Sequence, residues 1–232
     1  MVEILPAVLP KNFKDLTEHI ERIKGAPVTC VQIDAVDGVF APHCTWPYRD
    51  ESTFEAIVKE EHGLPLWDVF DFELDLMIEH PENRVMDFVH AGASRVVVHA
   101  ESDGALHAVQ KLVDLREETG AFPLQVGVAL SCMTQPDILE PFEAQFDYVQ
   151  VMGIAKVGFQ GQPFDVHALH LLERLRLRYP TLPLQVDGGV TIENAHQIVK
   201  AGATKLVVGS AIFKADDPIA AIKEIQAEAN RG

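Results

Sequence analysis

Cysteine and positive charge are what this chain has least of. Three cysteines occur in 232 residues, Cys30, Cys44 and Cys132, widely spaced and with no CxxC pair. That number and spacing exclude a disulfide framework and argue against a zinc cage, and a reducing, cytoplasmic setting is expected. The 19 basic residues face 35 acidic ones, a formal net charge of −16. Such a balance attracts neither nucleic acid nor an anionic membrane surface. An anionic ligand therefore needs a local site made of backbone amides and helix N-termini. No apolar run reaches membrane-spanning length, and MVEILPAVLPKNF at the start has neither a basic leader nor a cleavage pattern. Low-complexity tracts and interdomain linkers are also missing. With 47% hydrophobic residues the chain can bury one sizeable core, and a single domain over 1–232 is expected.

What is present is alternation. Short β-branched runs at 3–8, 29–36, 72–78, 95–100, 124–130, 148–153, 182–187 and 205–210 read as eight strands. Between them apolar residues recur at spacings of three and four, as in Val166, Leu169, Leu172 and Leu175, or Ile192, Ala195, Ile198 and Val199. Asp217 and Pro218 suit the N-cap and first position of a last helix. ENRVMDFVHAGASRVVV (82–98) and ENAHQIVKAGATKLVV (193–208) repeat one pattern, in which a helix ends at Gly92 or Gly202 in a left-handed turn and feeds a buried strand. Units of this kind predict an α/β fold, a closed (β/α)8 TIM barrel. The rival, an open doubly wound sheet, expects a glycine-rich turn after the first strand, and ILPAVLPKNF has no glycine.

A period of two sorts the strand side chains. In VQIDAVDG, Val31, Ile33 and Ala35 take one side while Gln32 and Asp34 take the other. Likewise Leu74 and Leu76 oppose Glu73, Asp75 and Met77, Leu184 and Val186 oppose Gln185 and Asp187, Gln150 shares a face with Met152, and His99 opposes Val98. Helices cover the outside of a barrel, so the apolar faces point outward and the mixed faces inward. Gln32, Asp34, Asp75, His99, Met152 and Asp187 are thus expected to converge at the C-terminal mouth. Any one of them reads equally well as an ordinary hydrogen-bonded interior residue. Three carboxylates together need a cation, a shared proton or a cationic partner. Glycines end the seventh strand in VDGGV (Gly188, Gly189) and the eighth in VVGS (Gly209, Ser210), and a short helix is expected near Ser210. Barrels often bind phosphate at those two ends. The long segment 38–53 holds His43, Trp46 and Tyr48, which are expected in a lid or an oligomer contact. His167 and His170 read as a solvated helix face.

These segments resemble the ribulose-phosphate 3-epimerase family from about residue 3 to 225. The resemblance is carried, in order, by QIDAVDGVFAPH, ELDLMIEHPENRVMDFVHAGASRVVVHAE, GVALSCMTQPDILEP, VMGIAKVGFQGQPF and VDGGVTIENAHQIVKAGATKLVVGSAIFKADDPIAAI. It implies an isomerase of pentose phosphate metabolism that epimerises a ketopentose 5-phosphate at carbon 3. Two aspartates exchange the proton across the substrate in that family, and a divalent metal stabilises the enediolate. On this chain the resemblance places the aspartates at Asp34 and Asp187, phosphate contacts at Gly158, Gly188, Gly189, Gly209 and Ser210, and substrate contacts at Met77, His99 and Met152. It departs from the family where two metal-binding histidines are replaced by Gln32 and Asp75. Ala7 stands for a serine, Val36 for a methionine, and the loop AKVGFQGQ (155–162) is one residue longer.

A ligand set of Asp34, Asp75, Asp187 and Gln32 is all oxygen, which favours Mg²⁺ or Mn²⁺ over Zn²⁺ or Fe²⁺, with no metal as the alternative. Two rival functions stay open beside the epimerase. One is a phosphosugar aldolase or decarboxylase, in which Lys156 forms a Schiff base rather than being a solvated loop lysine. The other is a non-catalytic phosphosugar-binding barrel. A small-molecule phosphosugar is the partner in each case, and self-association is left open.

Overall fold

Strands rich in valine and isoleucine, apolar on the side that leaves the barrel, are satisfied only when helices cover them. The computed structural model describes residues 1–120 and 123–231 and forms eight such strands. They are β1 (Glu3–Val8), β2 (Cys30–Val36), β3 (Asp71–Met77), β4 (Ala93–His99), β5 (Gln125–Ser131), β6 (Tyr148–Met152), β7 (Leu184–Asp187) and β8 (Lys205–Val208). All pair in parallel and in chain order, and β8 returns to β1 to close the barrel. Each expected strand is present, with ends displaced by up to two residues. One such change is in β8, which stops at Val208, because Gly209 caps a short helix that starts at Ser210.

The helices are α1 (Phe13–Arg22), α2 (Glu51–Val58), α3 (Val85–His90), α4 (Ala105–Thr119), α5 (His167–Arg178), α6 (Ile192–Lys200), α7 (Ser210–Phe213) and α8 (Pro218–Ala229). Their starts follow side-chain chemistry. The Asp217 carboxylate accepts from the Ile219 and Ala220 amides, and Thr191 and Asn194 form a reciprocal capping box on α6. Gly92 and Gly202 end their helices with φ of 104° and 120°, where any side chain would strain the backbone. The fifth unit has a 3₁₀ segment, Pro136–Phe142, in place of an α-helix, since Pro141 inside it removes a backbone donor. Val166 caps α5 and is 60% exposed, so the apolar stripe of that helix begins at Ala168 and not at Val166.

Burial divides the strands as the period of two requires. Ile33, Leu74, Val96, Val128, Val151, Val186 and Leu206 belong to the continuous core between strands and helices. The barrel interior holds a small apolar group, Val97, Ala129 and Tyr148, and a larger polar one. Near the N-terminal ends of the strands, the Tyr148 hydroxyl donates to Glu73 at 2.7 Å, and the Lys205 ammonium lies 4.1 Å from the Tyr148 ring centroid. Tyr148 fits because its neighbour in register is Gly127, where a Cβ would come within 2.5 Å of the tyrosine ring. Gly127→Ala is therefore expected to destabilise the protein by about 1–3 kcal/mol through overpacking, read from the midpoint of urea unfolding. An unchanged midpoint would show that the Tyr148 ring can move aside freely.

Candidate active site

Register brings the acidic residues together. Asp34 on β2 pairs directly with Asp75 on β3, and Asp187 on β7 pairs with Met152 on β6. The three aspartates lie within 4.8 Å of one another through one oxygen each, and all three are buried. No other group of this kind occurs among the described residues. The sequence expectation that Asp34, Asp75 and Asp187 share one place at the mouth therefore agrees with the geometry.

Each carboxylate has neutral or cationic neighbours. The Gln32 amide nitrogen donates to Asp34 Oδ1 at 2.9 Å and to Asp187 Oδ2 at 3.3 Å. Gln150 donates to Asp75 Oδ2 at 3.0 Å, and His99 Nε2 lies 2.9 Å from Asp75 Oδ1. Burial and the charges of Asp187 and Asp75 push the Asp34 carboxyl well above its ordinary range, against the pull of the Gln32 hydrogen bond. Burial first and Asp75 second push Asp187 up to about 8, opposed by Gln32 and His99. Burial disfavours a charge on His99, but the carboxylate of Asp75 beside it prevails and its pKa is raised. Gln32, expected as a fourth ligand, meets the two aspartates through its N–H groups and turns its oxygen to Gln185.

One cavity opens over Asp34 and Asp187 and runs to the glycines that end β7 and β8. Met77 and Met152 line it, as do Gly158, Gly188, Gly189, Gly209 and Ser210. Gly188 and Gly189 have φ of 99° and 70°, and a Cβ on Gly189 would lie 2.7 Å from the Phe164 backbone. A Cβ on Gly209 would meet the Gln160 amide at 2.6 Å. Glycine at these places thus lets the loop after β6 close down on the strand ends. Asp75 and His99 lie beside this cavity. His99 lines an adjoining one, where the Phe40 ring centroid is 5.0 Å from its own.

The loops correct one expectation. Trp46 is fully buried and packs edge-on against Phe54, with centroids 5.5 Å apart, so it is a core residue and neither a lid nor an oligomer contact. Tyr48 is partly buried under Arg84, and only His43 reaches the loop after β6, with its ring 4.1 Å from that of Phe159. Lys156 is exposed on that loop and lines the adjoining cavity, away from the aspartates. His167 and His170 are exposed on α5, as expected. Gln160, which no pattern in the sequence marks, also belongs to this region, and its amide donates to the Ala7 carbonyl at 3.2 Å. A loop glutamine carries no sequence signal of such a contact. Gln150 was legible as inward-facing, but its bond to Asp75 was not.

No helix among the described residues is long and apolar enough to cross a membrane. Solved structures share the fold. 3-Keto-L-gulonate-6-phosphate decarboxylase from Vibrio cholerae superposes with a TM-score of 0.71 at 12% identity, covering 100% of this chain and 97% of that one. A 3-hexulose-6-phosphate synthase gives 0.64 at 23% identity, covering 98% and 99%. Sequence relatives are nearer. The chain is 34% identical to the chloroplastic ribulose-5-phosphate-3-epimerase of Arabidopsis thaliana, over 97% of this chain and 76% of the relative. It is 32% identical to the ribulose-phosphate 3-epimerase of Bacillus subtilis, over 97% and 99%. The model of the ribulose-phosphate 3 epimerase family matches residues 3–213, and the chain belongs to that family.

Proposed function

We propose that the protein inverts the configuration of a ketose phosphate at the carbon next to its carbonyl, with ribulose 5-phosphate the first substrate to test. The observation that carries this reading is the placement of Asp34 and Asp187. They stand on separate strands, their carboxyls are joined by the Gln32 amide, and both line the cavity that ends at Gly188, Gly189, Gly209 and Ser210. A proton next to a carbonyl is removed only when a base faces it and the developing oxyanion is stabilised. Inversion also needs an acid on the other face.

Two buried carboxyls that repel each other hold a proton between them, so one is a base while its partner is an acid. Both have raised pKa values. Asp34 and Asp187 are the proton-transfer pair in this reading. One takes the substrate proton, the other returns a proton to the opposite face, and the reverse reaction exchanges their roles. Met77 and Met152 supply apolar walls that keep water from the carbanion. Gly158, Gly188, Gly189, Gly209 and Ser210 receive the phosphate.

The residues present fit a hard divalent cation. Three buried carboxylate oxygens within 4.8 Å of one another form an all-oxygen donor set, and among the described residues no lysine or arginine forms an ion pair with Asp75. Asp34, Asp75 and Asp187 would hold Mg²⁺ or Mn²⁺ in preference to Zn²⁺ or Fe²⁺. Such an ion, when bound, supplies electrophilic stabilisation of the substrate oxygens. The three free cysteines, Cys30, Cys44 and Cys132, support a cytoplasmic setting.

Purified protein supplied with Mg²⁺ or Mn²⁺ should wash solvent deuterium into ribulose 5-phosphate next to its carbonyl. Asp34→Asn and Asp187→Asn should each lower the epimerisation rate by about 10²–10⁴-fold. Absence of exchange with every pentulose and hexulose phosphate would sink the reading. Metal analysis of protein purified without chelator should return Mg²⁺ or Mn²⁺, and recovery of stoichiometric Zn²⁺ would contradict the donor-set argument.

The same carboxyls burden the fold. A carboxyl whose folded pKa is raised binds a proton more tightly folded than unfolded, so its stability contribution is intact below the unfolded value near 3.8 and is lost as pH rises towards about 8. With chelator present, Asp187→Asn is expected to be more stable than the parent at pH 8 by about 0.5–2 kcal/mol. The gain should vanish near pH 4, where the parent carboxyl is neutral. Urea unfolding at the two pH values tests this, and a variant less stable at pH 8 would contradict it.

A further inference from the structure

Beneath the aspartates lie three buried glutamines, Gln32, Gln150 and Gln185, on β2, β6 and β7. The hydrogen bonds among them run in one direction. Carboxylate oxygens only accept, so an amide end that faces a carboxylate is its NH₂ end. Gln32 faces Asp34 and Asp187 in this way, Gln150 faces Asp75, and Gln185 faces Glu73. The oxygens of Gln32 and Gln150 must then point elsewhere, and both point to the Gln185 nitrogen, at 3.4 and 2.7 Å.

Gln185 is thus the shared donor. Its NH₂ group has two hydrogens and three oxygens around it, the third being Glu73 Oε1 at 2.5 Å. Its own Oε1 is buried with no hydrogen-bond partner. An orphaned oxygen is unfavourable, yet turning the amide over would set that oxygen against the Glu73 carboxylate and two amide oxygens. Glu73 is itself fixed, because its other oxygen accepts from the Tyr148 hydroxyl. The order therefore runs from Tyr148 and Glu73 through Gln185 to Gln32 and Gln150, and ends at the aspartates.

We propose that Gln185 is a positioning residue for the reaction, which by its hydrogen bonds to the oxygens of Gln32 and Gln150 makes both amides present N–H groups to Asp34, Asp187 and Asp75. The inference rests on the proposed function of that site. Without the donor at position 185 the oxygens of Gln32 and Gln150 lose their buried partner and each amide is held at one end only, which loosens the proton-transfer pair while leaving the phosphate end of the cavity intact.

Gln185→Glu keeps the volume and supplies at most one hydrogen where the amide supplies two. Its kcat for epimerisation should fall about 10- to 100-fold, while KM for ribulose 5-phosphate stays within about threefold. The swap Glu73→Gln with Gln185→Glu restores the charge, the volume and a donor–acceptor pair between the two positions, but still leaves Gln32 and Gln150 without the shared donor. Its melting temperature should return to near the parent's while kcat stays low. Should Gln185→Glu fail to fold, the swap carries the test alone. A swap with parental kcat, or a Gln185→Glu protein that loses stability while keeping kcat, would overturn the positioning role and leave the proposed function standing. A parent protein that catalyses no exchange would overturn both.

Discussion

Confining three buried carboxylates within 4.8 Å of one another is the constraint on which the interior of this barrel depends. Two ionised carboxylates about 5 Å apart repel by about 3 kcal/mol at an effective dielectric constant of about 20. A neutral hydrogen bond returns about 1 kcal/mol net, and one to a charged group somewhat more. The amides of Gln32 and Gln150 therefore moderate the repulsion without cancelling it. A further positive charge or a retained proton is required, and the site supplies both means. His99 stands against Asp75, and the raised pKa values of Asp34 and Asp187 favour a carboxyl that stays protonated near neutrality. Such an interior is poor for stability and suited to moving a proton.

Glu73 shows what the site is being distinguished from. It is as buried as the aspartates, but its surroundings are those of a structural charge. The Tyr148 hydroxyl and Gln185 donate to it, and Lys205 and Arg95 lie near enough to oppose the effect of burial on its pKa. Glu3 closes this lower group with ion pairs to Arg95 at 2.9 Å and to Lys205 at 3.8 Å. Basic residues are scarce in the chain, and two of them are spent at the N-terminal end of the barrel. Among the described residues neither a lysine nor an arginine forms an ion pair with the aspartates above, so a substrate or a metal ion meets carboxyls not already neutralised by such a partner.

The barrel was legible because one rule runs through its strands, broken at the start of β4, where the register with β3 shifts between Ala93 and Arg95. Alternation in β2, β3 and β7 says which side chains turn inward, and parallel register then places Asp34 beside Asp75. The glycine-ended strands were equally plain, since only a residue lacking a Cβ suits the backbone at Gly188 and Gly189. Trp46 was misread because a long loop next to a strand end has no period from which burial can be inferred, and its packing against Phe54 depends on where α2 lies. Gln32 is the more instructive case. Its position near the carboxylates follows from alternation, but which end of its amide faces them depends on Gln185, 153 residues away. Directionality in a hydrogen-bond network is a property of the closed barrel and is written in no single segment.

The segment after β2 is stitched to the strand it leaves. The Thr45 hydroxyl donates to the carbonyl of Asp34 at 2.8 Å and accepts from the amide of Val36 at 2.9 Å, and Trp46 beside it is locked in the core. His43, two residues earlier, touches Phe159 on the loop that covers the cavity. Thr45 thus ties the backbone of Asp34 to the segment that touches the cover, while Gly153, at the start of the covering loop, donates its amide to the Asp187 carbonyl at 2.6 Å, so both members of the aspartate pair are tethered through their backbones to the segments that roof the cavity.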